Sequence, residues 1–117
     1  MSLNQKITIA VDVMSGDKGS DELLPAVISI ATQNENIVLI AVGQEEKLNI
    51  QLGNHPLFKA GRIQIHHASQ TVEMDEQPQS ALKNKKDSSM RVAINLVKSG
   101  VASACVSAGN TGALMAT

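Results

Sequence analysis

Aromatic residues are almost missing from this chain: Phe58 is the only one in 117 residues, with no Trp and no Tyr. That excludes stacking of bases on aromatic side chains, and no nucleic-acid partner is expected. Cysteine is equally scarce. Cys105 stands alone, so no disulfide forms within the chain, and the composition fits a reducing, cytoplasmic compartment. No excess of one charge is present either, since 10 Lys and Arg face 11 Asp and Glu. A net charge of −1 gives no general pull toward polyanions or membrane surfaces. No run approaches the roughly 20 apolar residues of a membrane span. The opening MSLNQK lacks the apolar core of a signal peptide. Zinc-type spacing is also missing: His66 and His67 are neighbours on a strand and face opposite sides, and His55 lies in a turn. No Ser-His-Asp arrangement is arguable, and neither a metal nor another cofactor is expected.

What the chain does have is apolar residues, 43% of the total, enough for the core of one compact domain. ITIAVDV (7–13) is short, β-branched and nearly all apolar, the pattern of a strand buried on both faces. DELLPAVISIATQ follows with helical spacing. Leu23, Val27, Ile30 and Ala31 are expected on its buried face, Asp21 at its N-cap and Pro25 in its first turn. NIVLIAVG (36–43) reads as a second strand, QEEKLNIQL as a short helix, GNHPLFKAG as turn-rich and RIQIHHA (62–68) as a third strand. SSMRVAINLVKSG (88–100) is the clearest helix, with hydroxyl residues in front, Gly100 behind, and Met90, Ala93, Ile94 and Val97 on one face. VASACVSAG is expected as a fourth strand, with NTGALMAT opening another helix. The order β-α-β-α-β-α-β-α predicts a parallel sheet wrapped by helices, a three-layer α/β/α Rossmann-like fold. The chain stops inside a helix-like segment, so residues 1–117 are expected to be the N-terminal portion of a single larger α/β domain.

In open parallel sheets, ligands sit beyond the carboxyl ends of the strands. Two glycine loops fall there: MSGDKGS after the first strand and SAGNTGA (107–113) after the fourth. In the second, Gly109 and Gly112 let the backbone approach a ligand, and the N–H groups of the next helix start would face an anion. Ser107, Asn110 and Thr111 can add side-chain donors. The plainer alternative is a strand-to-helix turn with Asn110 or Thr111 as an ordinary cap, and the residues alone leave both open. Neither the P-loop nor the dinucleotide glycine pattern is matched.

Asp12 inside an apolar strand is costly unless hydrogen-bonded or at the strand's end, and Asp17 lies in the loop beyond. This pair can position a substrate, or simply cap a helix and tie down the loop. ALKNKKDSSMR carries Lys83, Lys85, Lys86 and Arg91 against Asp87 alone, beside Ser88 and Ser89 at a helix start. That is a second candidate anion cradle, with a solvated charge run as its alternative. Cys105, in mid-strand, reads as an inert thiol.

Taken jointly, IAVDVMSGD (9–17), LIAVG (39–43), RIQIHHA, ALKNKKDSSMRVAINLVKSG (81–100) and ACVSAGNTGALM (104–115) resemble the phosphate acyltransferase family of bacterial phospholipid synthesis, the PlsX family. The resemblance spans nearly the whole chain in the same order, and family members are roughly three times as long. Three positions depart from the family pattern: Ser15 for its first loop glycine, Ser20 near its usual proline, and Lys83 for its arginine.

The resemblance implies a fold like that of isocitrate and isopropylmalate dehydrogenases and a homodimer. It implies a cytoplasmic enzyme whose peripheral membrane association runs through parts absent here. It also implies the reaction of an acyl-[acyl-carrier-protein] with inorganic phosphate to give acyl phosphate and free carrier protein. Phosphate is already a nucleophile and a thiolate leaves readily, so the protein need only hold, orient and stabilise charge. On this reading Asn110 and Lys86 are catalytic. Asp12, Gly16, Asp17, Ser88, Ser89, Ser107, Gly109, Thr111 and Gly112 bind substrate. The alternatives are a phosphotransacetylase-like or dehydrogenase-like enzyme on a small metabolite, or a non-catalytic binding module. These 117 residues alone are expected to be inactive.

Overall fold

The computed structural model describes residues 6–14, 19–69 and 89–107. Within them run β1 (Ile7–Asp12), α1 (Ser20–Gln33), β2 (Ile37–Gly43), α2 (Glu45–Leu52), α3 (Pro56–Lys59), β3 (Ile63–His67), α4 (Ser89–Lys98) and β4 (Ala104–Ser107). The strands form one sheet in the order β3-β2-β1-β4. All three pairings are parallel, with Asp12 level with Val42 on one side and Ser107 on the other. The alternating pattern thus does yield a parallel α/β sheet.

Strand alternation divides the core. Leu39 and Ala41 point to the side of α1 and α2, where Leu24, Val27 and Leu48 close over them. Ile40 and Val42 point to the other side and meet Ala93 and Leu96 of α4. Ala10, Ala68 and Ala102 surround that second cluster, and their small side chains let α4 lie close to the sheet. Burying a leucine such as Leu48, wholly enclosed, contributes on the order of 2–3 kcal/mol.

Four details differ from the sequence expectations. On α1 the buried residues are Leu24, Val27 and Ala31, while Leu23 is half-buried and Ile30 is exposed. The helix lies turned so that the i, i+3, i+7 row of Leu24 meets the sheet. On α4 the row is Met90, Ala93 and Leu96, and Ile94 and Val97 sit at its margin.

The N-cap of α1 is Gly19, not Asp21, and Pro25 lies inside the helix rather than in its first turn. Gly19 takes φ 56°, ψ −138°, a conformation that an L side chain resists, so the reversal from loop to helix is set one step earlier. Pro25 is exposed, so the carbonyl it leaves unpaired four residues back can bond water. Finally, β4 begins only at Ala104. Residues 101–103 complete the turn out of α4, where the Ala102 N–H donates to Leu96 O and the Ser103 N–H to Thr8 O. The helix expected from NTGALMAT lies outside the described residues.

Candidate functional site at the carboxyl edge of the sheet

Parallel register puts Asp12, Gly43, His67 and Ser107 at one end of the sheet. Helices α1 and α2 start directly after the strands that end there. Helix α4 feeds β4 at the opposite edge, so its described part runs away from the carboxyl edge. The N-termini of α1 and α2 therefore gather at one rim, each with first-turn N–H groups lacking partners within the helix. Strand order reverses between β1 and β4: α1 carries the chain from β1 to β2, and α4 brings it back past β1 on the other face. Such a switch point leaves a crevice beyond the strand ends, the usual ligand position in open sheets.

Asp12 sits in that crevice and is 1% exposed. Its Oδ1 accepts from the Met14 N–H at 3.1 Å, and its Oδ2 accepts from Ser107 Oγ at 2.8 Å. One buried carboxylate thus starts the loop leaving β1 and ties it to the loop leaving β4. The apolar strand tolerates Asp12 because it lies at the strand's last residue with charge-assisted bonds. Behind it, a Cβ on Gly43 would collide with Met14 Cγ and Sδ, so glycine there lets Met14 lie across the end of β2.

Ser89, the first residue of α4, is wholly buried. The structure brings together Asp12 and Ser107, and sets Ser89 at the same rim. Gly16, Asp17, Lys86, Ser88, Gly109, Asn110, Thr111 and Gly112 lie outside the described residues.

Other features of this rim were not legible in the sequence. Ser20, first in α1, is also wholly buried. His67 accepts from the Glu45 N–H through Nδ1 at 3.1 Å and so caps α2 from a neighbouring strand. A hollow of about 740 Å³ lined by Gln44, Lys47, His67 and Ser69 opens beside it. Cys105 faces the α4 side, half-buried, and burial pushes its thiol pKa up. No group of three metal-ligating side chains occurs among the described residues. None of their helices is long and apolar enough to cross a membrane.

A parallel four-stranded sheet with helices packed on its faces defines an open-sheet α/β protein. Within that class the chain belongs to the fatty acid synthesis protein family, whose model matches residues 7–117. It is 53% identical over 113 residues to a phosphate acyltransferase of Legionella pneumophila, covering 97% of this chain and 33% of that protein. Phosphate acyltransferases of Chromobacterium violaceum and Coxiella burnetii are 58% and 54% identical over 111 residues each, covering 95% and 94% of this chain and 32% of each relative. The chain thus spans about a third of the length of the curated relatives it matches.

Proposed function

We propose that this chain forms one wall of a phosphate acyltransferase that makes acyl phosphate from inorganic phosphate and an acyl thioester of acyl carrier protein. The observation that carries the reading is the Asp12–Ser107 bond at the switch point, at the first residue of the stretch SAGNTGA. The similarity to phosphate acyltransferases supports the same reaction. A phosphate oxygen attacks the thioester carbonyl carbon, forming the new C–O bond. The C–S bond then breaks, and the thiolate departs with the carrier. In this reading Asn110 and Lys86 are the catalytic residues that stabilise the developing oxyanion, and Gly109, Thr111, Gly112 and Ser88 bind substrate. Asp12, with Gly16 and Asp17 in the first loop, positions rather than reacts, since both its oxygens accept hydrogen bonds.

The finer fold assignment, Rossmann-like and close to the isocitrate and isopropylmalate dehydrogenases, belongs to the same proposal. So do a homodimer and a cytoplasmic enzyme at the membrane's inner face.

The test uses a full-length phosphate acyltransferase that carries this chain as its first third. Replacing Asn110 by Ala there lowers acyl phosphate formation by about 10²-fold, the scale for one oxyanion donor. Near-normal turnover in a folded N110A enzyme removes Asn110 from the site. Equal or better turnover with coenzyme A thioesters than with acyl carrier protein overturns the choice of carrier.

A further inference from the structure

Strand β2 ends on a glycine that its backbone does not require. Gly43 does not take the positive φ that Gly19 does, so any residue could adopt its conformation. It closes a central parallel strand, where a side chain would add packing, and glycine in such a place marks a close approach by another group. That group is Met14. A Cβ on Gly43 would collide with Met14 Cγ and lie 2.8 Å from its Sδ. It would also lie 3.3 Å from Leu48 Cδ1, a tight contact but with the far end of a side chain.

The end of β2 cannot draw back. Val42 O accepts from the Val13 N–H at 3.2 Å and Gly43 O from the Ala68 N–H at 2.8 Å, so the strand is bonded on both sides. Met14 is held as closely. Its N–H donates to Asp12 Oδ1 at 3.1 Å, and its carbonyl oxygen lies 3.3 Å from where a Cβ on Gly19 would be. Its half-buried side chain packs against the cluster that contains Leu48. A side chain at position 43 would therefore have to displace Met14. Because the collision reaches Cγ, swinging the thioether tip does not relieve it, and χ1 or the backbone must change. Asp12 is then affected directly, since its buried carboxylate takes the Met14 N–H on one oxygen and the Ser107 hydroxyl on the other.

We propose that Gly43 is a positioning residue of this site and acts through Met14. The missing side chain leaves the slot that seats Met14, and the seated Met14 fixes the Asp12 carboxylate against Ser107. For the reaction it serves, this role rests on the acyltransferase reading above. It deepens that reading by showing how β2, which places no polar side chain beside Asp12, sets the geometry there.

Gly43→Ala, Met14→Ala and the double variant test this in a full-length phosphate acyltransferase that carries this chain as its first third. M14A keeps the N–H and removes the colliding atoms. With Met14 in place, G43A lowers kcat per folded enzyme about tenfold at unchanged KM for phosphate and carrier, the mark of misplacement rather than lost binding. Added to M14A, the same change costs less than about threefold, because the two sites are coupled. A packing fault alone lowers the melting temperature but leaves kcat per folded enzyme unchanged. Amide exchange at position 14 gives a readout independent of turnover: it quickens in G43A and slows again in the double variant. An unchanged kcat in G43A, or a loss of equal size in both backgrounds, overturns the proposal. If G43A alone does not fold, the double variant decides. Folded and about as active as M14A, it supports the role; folded and much less active, or unfolded, it overturns it. The same pattern of amide exchange in an enzyme that forms no acyl phosphate supports the positioning role and sinks only the acyltransferase reading.

Discussion

The two edges of the sheet treat their polar groups in opposite ways. At the amino edge Arg62 reaches back across the sheet and donates to Ala31 O and Asn34 O at 2.6 Å each, and to Ile37 O at 3.2 Å. One guanidinium thereby satisfies the carbonyls at the end of α1, a favourable place for a cation, and the start of β2. The Ile7 N–H donates to Asn36 O beside it. At the carboxyl edge a carboxylate is buried, the Ser20 and Ser89 hydroxyls have no hydrogen-bond partner among the described residues, and the N-termini of α1 and α2 lie at the rim. Polar groups that hold a fold together pair with one another. At the carboxyl edge two buried hydroxyls keep no such partner among the described residues.

Mutations at the two edges should separate accordingly. The largest stability effect is expected from Arg62→Ala, about 3 kcal/mol, since it strips charge-assisted bonds from several carbonyls at once. Denaturant unfolding measures it, and the phosphate KM should not move. A loss below about 1 kcal/mol would erase the contrast between the edges. His67→Ala should cost less, about 1 kcal/mol, the usual scale for a lost N-cap. Its loss should appear as faster amide exchange in the first turn of α2, with α1 and α4 unaffected.

The smallest effect concerns Cys105. Burial raises its thiol pKa above the unfolded value, so the folded chain favours the protonated form. The stability tied to this group is complete below the ordinary thiol range and falls as pH rises through the folded pKa. Alkylation of Cys105 in the folded protein is therefore expected to be slow at neutral pH and to quicken only at alkaline pH. Rapid labelling at neutral pH would contradict an inert thiol.

Much of the architecture could be read from local pattern. ITIAVDV and NIVLIAVG have the apolar density of central parallel strands, and both lie in the middle of the sheet. Asp12 is noticeable as a charge at the end of such a run, and Ser107 as the first polar residue after another. The faces of α1 and α4 were harder to read. Leu23 and Leu24 are adjacent, as are Ile94, Leu96 and Val97 nearby in sequence, so periodicity left the rotation of each helix uncertain by about one residue. The start of α1 was misplaced because Gly19 caps it through backbone geometry and not through a side chain.

By itself the sequence determined the alternation of strands and helices, the parallel sheet, the two glycine loops at strand exits, and membership of the family. These rest on patterns within a few residues, where periodicity and turn chemistry act. Only the tertiary structure decided which polar groups would meet. Ser107 bonds Asp12 across 95 positions, Arg62 reaches Ala31 across 31 and His67 reaches Glu45 across 22. It also decided that Ser20 and Ser89 would be buried without a hydrogen-bond partner among the described residues. No local rule carries such information, because a hydrogen bond depends on where two distant strands and helices come to rest.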